Sequence, residues 1–189
     1  MKIKELLEKH REYYLNHYGQ ALTKEKSGAA ELLIELNKQG DEPNEVYRMY
    51  RFDFMSKEND APKPVEFNLD GYLNHETVEY DVGEQKIIVN PFFWNSIELI
   101  LDTEVKDLND YEDWARKWLD LKDKNKIDQN GYSGVIHNIS PPEPIQRGTR
   151  FLIDLGTAPV DALTELIEIF LNTEGVGTIR IETANISEE

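Results

Sequence analysis

The spacing of apolar residues changes along this chain, and that change limits the folds that it can adopt. Over residues 2–18 apolar side chains recur at three- and four-residue steps, which predicts an amphipathic helix. Between Val46 and Phe54 they alternate instead, which predicts a half-buried strand. Because both periods occur, the sequence predicts an α+β fold.

Two more segments have helical spacing. Residues 27–39 have Ser27 as an N-cap and Gly40 just beyond the last turn. Residues 108–121 combine an apolar stripe with acidic residues in the first turn, which suit the positive end of a helix. The remaining predicted elements are a hairpin of 77–82 and 85–90, strands at 65–69, 93–101 and 135–140, and a C-terminal strand–helix–strand unit of 149–155, 160–172 and 178–183.

The strand around Val46–Phe54 is expected to place Arg51 and Asp53 on its solvent face, opposite the aromatic residues. Together the elements predict an antiparallel or mixed sheet covered by three or four helices and ending in a β-α-β unit with parallel neighbouring strands. We expect residues 1–189 to form a single domain, with a helical part at 1–45 packed on the sheet.

The chain contains no cysteine. Disulfides, thiolate metal sites, iron–sulfur clusters and cysteine nucleophiles are therefore excluded. The N-terminal sequence lacks the continuous apolar stretch of a secretory signal, and no run approaches the ~20 apolar residues that span a bilayer. These features favour a cytoplasmic protein with no membrane partner.

Negative charge is concentrated in the later part of the sequence. The formal net charge is −16, and residues 64–189 hold 25 acidic residues against 10 basic ones. Such a surface repels the phosphates of nucleic acids and of anionic lipids, and it attracts basic proteins. The alternative interpretation is that the charge serves only solubility.

Short motifs give no specific chemistry. His10 and His17 are two helical turns apart, too far to bind one ion together, and the sequence at His75 lacks the second histidine of a zinc-protease motif. The loop 123–134 does not have the ligand register of a calcium loop. No phosphate-binding loop is present, so the sequence predicts no metal, nucleotide or other cofactor.

Asp154 is the one carboxylate with an unusual sequence setting, because it closes an apolar strand just before a helix. A cleft that brings His137 or His75 beside Asp154 would favour an enzyme that uses carboxylate and histidine chemistry, for example a small hydrolase. Such a cleft would depend on residues that are distant in the sequence. No catalytic residue is therefore predicted.

The sequence favours a binding protein over an enzyme. We expect an inhibitor or immunity-type protein that neutralises a basic partner such as a toxic nuclease, acting as a monomer or homodimer. An enzyme and a structural assembly subunit are the alternatives. The predicted partner-binding residues are the acidic face around the third helix and one aromatic anchor: Glu104, Asp107, Asp110, Asp113, Asp120 and Trp94. Trp94 can anchor a partner only if its face of the strand is uncovered; if a helix covers that face, Trp94 is a core residue.

Overall fold

The computed structural model describes residues 2–25, 27–36, 44–57, 62–67, 71–125 and 127–183. Within these segments lie three α-helices, one 3₁₀ helix and ten strands. The helices are α1 (Ile3–Leu22), α2 (Asn109–Trp118), α3 (Val160–Leu171) and the 3₁₀ helix Glu45–Arg48. The strands are β1 (Gly28–Glu35), β2 (Met49–Ser56), β3 (Lys63–Val65), β4 (Val78–Val82), β5 (Gln85–Val89), β6 (Ile97–Leu101), β7 (Asn138–Ile139), β8 (Glu143–Ile145), β9 (Gly148–Asp154) and β10 (Thr178–Glu182). The protein is α+β, as the apolar spacing predicts.

The larger of two sheets contains seven of the described strands. Its order is β4-β5-β10-β6-β9-β7, and β8 pairs with β9 beside β7. The pair β5–β10 is parallel and the other pairs are antiparallel, so the sheet is mixed. The predicted hairpin of β4 and β5 is confirmed, and Gly83 in its turn has φ +62°, a conformation that glycine adopts without strain.

The C-terminal strand–helix–strand unit consists of β9, α3 and β10. Strand β6 lies between β9 and β10 and is antiparallel to both. The two strands are therefore parallel to each other but do not pair, and the expectation that they would be direct neighbours is wrong.

The smaller sheet has the order β1-β2-β3, and it replaces the helix predicted for 27–39. Alanine, leucine and glutamate are strong helix formers, which is why the segment has helical character in the sequence. In the structure β1 instead pairs with β2 from Gly28 opposite Ser56 to Glu35 opposite Met49, and this tertiary pairing overrides local propensity. The predicted helix end at Gly40 lies outside the described residues.

The polar face of β2 points inward, contrary to the sequence prediction. Arg51 and Asp53 are buried, whereas Tyr50 and Phe52 are only half-buried. The Arg51 guanidinium donates to the carbonyl oxygens of Glu31, Leu119 and Asp120 and to the Asp123 carboxylate, at 2.8 to 3.1 Å. A buried charge is tolerated only with such partners, and here the chain supplies them from residues that are distant in sequence.

The hydrophobic core lies between the larger sheet and the helices. α3 contributes its predicted stripe, and α2 contributes Trp114, whose indole N–H donates to the Ala162 carbonyl at 2.8 Å. α1 buries Leu6, Leu7, His10, Tyr14 and Tyr18, as its spacing predicts, and it continues past Gly19 to Leu22. In the described part of the chain, no helix has both the length and the apolar character needed to cross a membrane.

The arrangement of 1–189 as a single domain stays a prediction. Within the predicted N-terminal helical part at 1–45, α1 is helical and β1 is not. Contacts between α1 and α3 join the first helix to the C-terminal unit.

Candidate functional site

An acidic cleft of about 580 Å³ lies between the segment 104–107, the first turn of α2 and the C-terminal half of α3. Six carboxylate side chains and one lysine, Lys106, line it. The carboxylates are Glu104, Asp107, Asp110, Glu165, Glu168 and Glu174. We call the pocket that these side chains line the acidic cleft.

Local folding explains why these carboxylates converge. In α3 the apolar residues Leu166, Ile167 and Phe170 are buried, so Glu165 and Glu168 are left on the outer part of the helix. At the start of α2, Asp107 accepts a hydrogen bond from the Asn109 N–H at 3.0 Å, which helps to satisfy the free donors of a helix N-terminus. The two helix segments thus form two acidic walls.

The bottom of the cleft is apolar. Val105, Tyr111, Ile169 and Phe170 line it between the acidic walls. Tyr111 and Phe170 belong to the core, where their ring centroids are 6.2 Å apart. An apolar floor under charged walls suits a ligand that has both an aliphatic stem and a positive charge.

Most of the negative charge in the cleft is not neutralised by the protein. Glu165 is paired, because its Oε2 accepts from Lys117 Nζ at 2.6 Å and from Trp118 Nε1 at 2.9 Å. For the other five carboxylates, the described parts of the chain supply no ion-pair partner. The cleft therefore presents a concentrated negative potential to solvent.

The structure places only three of the six predicted partner-binding residues in this cleft: Glu104, Asp107 and Asp110. Asp113 lies outside it and pairs with Arg116 at 2.6 Å, and Asp120 accepts the Asn125 N–H at 2.7 Å in the turn after α2. Of the two interpretations of Trp94, the exposed anchor is wrong and the core residue is confirmed, because Trp94 is 1% exposed and donates to the Gly156 carbonyl at 3.0 Å. The indole has a hydrogen-bond partner inside the core and fills space there.

A second candidate is a buried polar group where the two sheets meet. His137 Nε2 lies 3.1 Å from Glu31 Oε1, and its Nδ1 lies 3.2 Å from Asp53 Oδ1 and 3.8 Å from Asp154 Oδ2. Glu31 and Asp53 come from the smaller sheet, whereas Asp154 ends β9 of the larger one. We call His137, Glu31, Asp53 and Asp154 the His137 cluster.

The main chain of His137 also joins the sheets. Its N–H donates to the Asp154 carbonyl, and its carbonyl accepts the Arg51 N–H, both at 2.9 Å. Glu31 is held by the Thr157 hydroxyl at 2.5 Å and by the Ser133 N–H at 2.6 Å. Glu31 has φ +50°, which a residue with a side chain adopts only when its surroundings impose it. The cluster therefore fixes how the smaller sheet docks.

The pKa values of side chains in the cluster are strongly shifted. Burial alone would lower the pKa of His137, but Asp154, Asp53 and Glu31 raise it well above its usual range. Burial would raise the pKa of Glu31, yet its hydrogen bond to His137 and the charge of that ring lower it overall. Burial raises the pKa of Asp154 to about 6, with the Asp53 carboxylate adding to the effect against the opposing charge of His137.

Glu66 lies at the border of this cluster. Its carboxyl accepts the Tyr50 hydroxyl at 3.4 Å and lies within hydrogen-bonding reach of Asp53. Burial of this carboxyl, together with the charges of Asp53 and Asp154, raises the pKa of Glu66 to about 7, although other parts of the residue are exposed. Glu66 and Asp154 are thus two carboxyl groups that exchange protons near neutral pH.

Access limits what the cluster can do chemically. The side chains of His137 and Glu31 are 0% exposed, that of Asp53 is 6% exposed and that of Asp154 is 16% exposed. A ligand in solution can therefore reach only Asp154 and Glu66. Among the residues that the structure describes, no group of three or more histidine, aspartate or glutamate side chains has an arrangement that could hold a metal ion.

Sequence reasoning identified half of the His137 cluster. It singled out Asp154 and His137, and the structure brings these two together, whereas His75 lies elsewhere, beside His10. It missed Glu31, assigned to a helix, and Asp53, assigned to the solvent face of a strand. The available signal was an arginine and an aspartate alternating with Tyr50, Phe52 and Phe54, a pattern that fits a strand with either face inward.

Comparison of the chain with protein-family models, with curated proteins and with solved structures gives no match. Function is therefore inferred from the two sites themselves.

Proposed function

We propose that this protein is a binding module that holds a basic segment of a partner protein in the acidic cleft. The single observation that carries the proposal is that five of the six cleft carboxylates have no cationic partner among the described residues. Carboxylates of like charge repel one another when they are gathered without counter-charges. A cationic ligand relieves that repulsion, so the binding energy is concentrated at this place.

The shape of the cleft favours lysine and arginine side chains as the groups that enter it. Their aliphatic stems can lie on the floor formed by Val105, Ile169 and Phe170, while their charged ends reach the walls. Arginine adds planar, two-point hydrogen bonding to carboxylates. A protein with a basic active surface, such as a nuclease, offers such side chains, and this supports an inhibitor or immunity-type role in the cytoplasm.

Charge also supports fast capture. The net charge of −16 attracts a basic protein over a distance of about one Debye length, roughly 8 Å at physiological salt. Electrostatic steering raises association rates and specificity more than it raises equilibrium affinity. We therefore expect association to slow markedly when salt is added.

Two triple variants with equal charge change test the proposal. Glu104→Gln, Asp107→Asn and Asp110→Asn together remove three charges from the cleft. Glu76→Gln, Asp81→Asn and Glu84→Gln remove three exposed charges from the region of β4 and β5. With an arginine-rich peptide as the probe, we expect the first set to weaken binding at least about tenfold, the equivalent of 1.4 kcal/mol, and the second to change it far less. Equal losses would mean that only net charge matters, and the cleft would not be the site.

Acid–base catalysis is a second candidate function, favoured by the contact of His137 with Asp154 and by the near-neutral pKa values of Asp154 and Glu66. In this alternative Glu66 and Asp154 meet the substrate, and His137 is a positioning residue. A panel of nitrophenyl esters and glycosides discriminates the two functions. Turnover with a bell-shaped pH profile that Asp154→Asn abolishes would support catalysis, and its absence would leave binding as the function.

A further inference from the structure

His10 and His75 contact each other through their ring nitrogens. His10 is on the buried face of α1, and its Nε2 lies 2.9 Å from the Nε2 of His75. The ring centroids are 5.0 Å apart and the ring planes are nearly perpendicular, at 84°. The centroid separation is close to the sum of the Nε2–Nε2 distance and the two distances from each ring centre to its Nε2 atom. The two nitrogens therefore point at each other almost head-on.

The other nitrogen of each ring faces a main-chain carbonyl. His10 Nδ1 lies 3.1 Å from the Phe92 oxygen, and His75 Nδ1 lies 2.6 Å from the Glu76 oxygen. A carbonyl oxygen only accepts, so both Nδ1 atoms carry hydrogen. Turning either ring over would place carbon atoms against the carbonyl and against the other ring, and both contacts would be lost.

Counting protons shows that the pair carries a positive charge. A neutral imidazole has one N–H, and in both rings it is already used at Nδ1. Two Nε2 lone pairs facing each other at 2.9 Å would repel. A third proton between them turns this repulsion into a charge-assisted hydrogen bond.

A metal ion does not fit in place of that proton. Two histidine nitrogens that bind one ion placed in line between them stand about 4 Å apart, since each bond is about 2.0 Å long. The observed distance is 2.9 Å. The geometry of this pair is that of a shared proton.

The surroundings make His10 the less favourable site for the extra proton. His10 is 2% exposed, and burial followed by the charge of His75 lowers the pKa of His10 to about 4. His75 is half-buried and closer to water, where a charge costs less. The segments packed around the pair contribute few other titratable side chains: none from 91–94, Tyr72 and the exposed Glu76 from 71–77, and Lys9, Arg11, Tyr13 and Tyr14 from α1. Tyr13 also faces residues 71–77, because its hydroxyl oxygen lies 3.5 Å from the position that a Cβ atom on Gly71 would take.

Residues 71–77 contain no helix or strand, and they are all described. Besides the His75 contact, they are tied down by the Tyr72 ring against Phe93, with centroids 5.1 Å apart, and by Thr77 Oγ1 donating to Asn90 Oδ1 at 2.8 Å. We propose that residues 71–77 form a strap that one proton, shared by His10 and His75, holds on α1, and that losing this proton or gaining a second one releases the strap.

Release in both directions follows from the charges. When the shared proton is lost, the two Nε2 lone pairs face each other at 2.9 Å and repel, and His75 turns away. Below about pH 4 His10 also becomes protonated, and two positive rings repel. The strap is therefore closed in a window of pH and open on both sides. Opening uncovers His10 and the Phe92 ring that is stacked on it at 3.9 Å.

Nuclear magnetic resonance tests the proposal on the whole chain. Imidazole ¹⁵N spectra report the protonation of each ring, and the cross-relaxation between the Tyr72 and Phe93 rings reports strap closure. In the closed state, above about pH 4 where His10 is neutral, we expect hydrogen on the Nδ1 atoms of both rings, one proton between the two Nε2 atoms, and strong cross-relaxation. Once rising pH removes the shared proton, we expect two neutral rings and cross-relaxation weaker by a factor of about three or more.

Two matched variants complete the test. His75→Ala removes the proton link, and His17→Ala removes a histidine of α1 whose Nδ1 likewise faces a carbonyl, that of Tyr13, at 2.7 Å. We expect weak Tyr72–Phe93 cross-relaxation at every pH in the first variant and the wild-type profile in the second. A wild-type profile that is flat from pH 5 to 8, or a His75→Ala protein with the wild-type profile, overturns the proposal.

Discussion

Gly156 packs directly against the imidazole ring of His137. A Cβ atom on residue 156 would stand 2.1 Å from His137 Cδ2, and the residue has φ +46°. The hydrogen bond from the Gly156 N–H to Asp154 Oδ1, at 2.8 Å, fixes this turn next to the cluster. The backbone after β9 thus forms one wall of the site that holds the only fully buried histidine side chain among the described residues.

This contact predicts that Gly156→Ala is strongly destabilising. The added methyl group would displace His137 from its carboxylates, and overpacking of this kind typically costs about 1–3 kcal/mol in addition to backbone strain. Gly83→Ala is the control, because Gly83 also has positive φ but nothing lies within 4 Å of its Cβ position. Urea unfolding should give a lower free energy of unfolding for Gly156→Ala than for Gly83→Ala. Equal values would mean that strain alone matters and that the ring can move aside.

Replacement of His137 tests the charge balance of the cluster. His137→Gln leaves Glu31, Asp53 and Asp154 near one another without a cation, and breaking a buried ion pair in this way costs roughly 3–5 kcal/mol. The matched change His17→Gln affects a half-buried ring and should cost less than about 1 kcal/mol. Chemical denaturation at pH 6 measures both. Similar small losses would show that the cluster contributes little to stability.

The cluster also predicts how stability depends on pH. Asp154, Glu66 and His137 all have raised pKa values in the folded protein, so the folded state binds their protons more tightly and stability falls as pH rises. The fall begins near pH 4 and extends through pH 7. For Asp154 alone the loss is roughly 2–3 kcal/mol between pH 4 and 7.

Glu31 acts in the opposite sense, because its lowered pKa gives stability that is lost in acid, below its ordinary value of 4.5. We therefore expect maximal thermal stability at about pH 4 to 4.5, where the acid loss from Glu31 ends and the decline caused by Asp154 and Glu66 begins. Asp154→Asn should flatten the decline above pH 5, whereas Asp113→Asn, at an exposed ion pair, should not. Calorimetry across this range measures the slopes. A stability that rises from pH 5 to 8 would contradict the assignment of these protons.

Trp94 provides a test that separates stability from binding. Trp94→Phe removes the indole N–H and leaves the buried Gly156 carbonyl without that partner, which costs about 1–3 kcal/mol. The ring lies outside the acidic cleft, so affinity for an arginine-rich peptide should stay unchanged at a temperature where the variant is folded. A large loss of affinity in the folded variant would show that Trp94 does contribute to partner binding.

The elements that the sequence predicted well are those in which local and tertiary preferences agree. In α3 the apolar stripe from Ala162 to Phe170 is buried as its spacing predicts, and the hairpin at Gly83 follows from its turn chemistry. The helix predicted in place of β1 was wrong because the Ala-Leu-Glu composition of this segment favours a helix, whereas its pairing with β2 makes it a strand. Because β2 lies about twenty residues further along the chain, the local composition of β1 does not reveal that β2 will pair with it.

The two sites were unequally predictable for a related reason. Glu104, Asp107 and Asp110 lie within seven residues, so their nearness in the sequence groups them, but Glu165 and Glu168 join them only through the packing of α3 beside α2. Glu31 and Asp53 were missed because a buried carboxylate looks like a surface one in the sequence. The cation that balances them, His137, is more than eighty residues away in the chain.

Mapping of a bound peptide on the ¹⁵N-labelled protein tests most directly whether the acidic cleft is the binding site. A lysine- and arginine-rich peptide is titrated at low and at physiological salt, and the backbone amide shifts are followed. We predict that saturable shifts concentrate in residues 104–111 and 165–174, and that added salt weakens them. Shifts that scatter over all acidic surfaces, or that centre on Glu66 and Asp154 and leave the cleft unchanged, would contradict the proposed function.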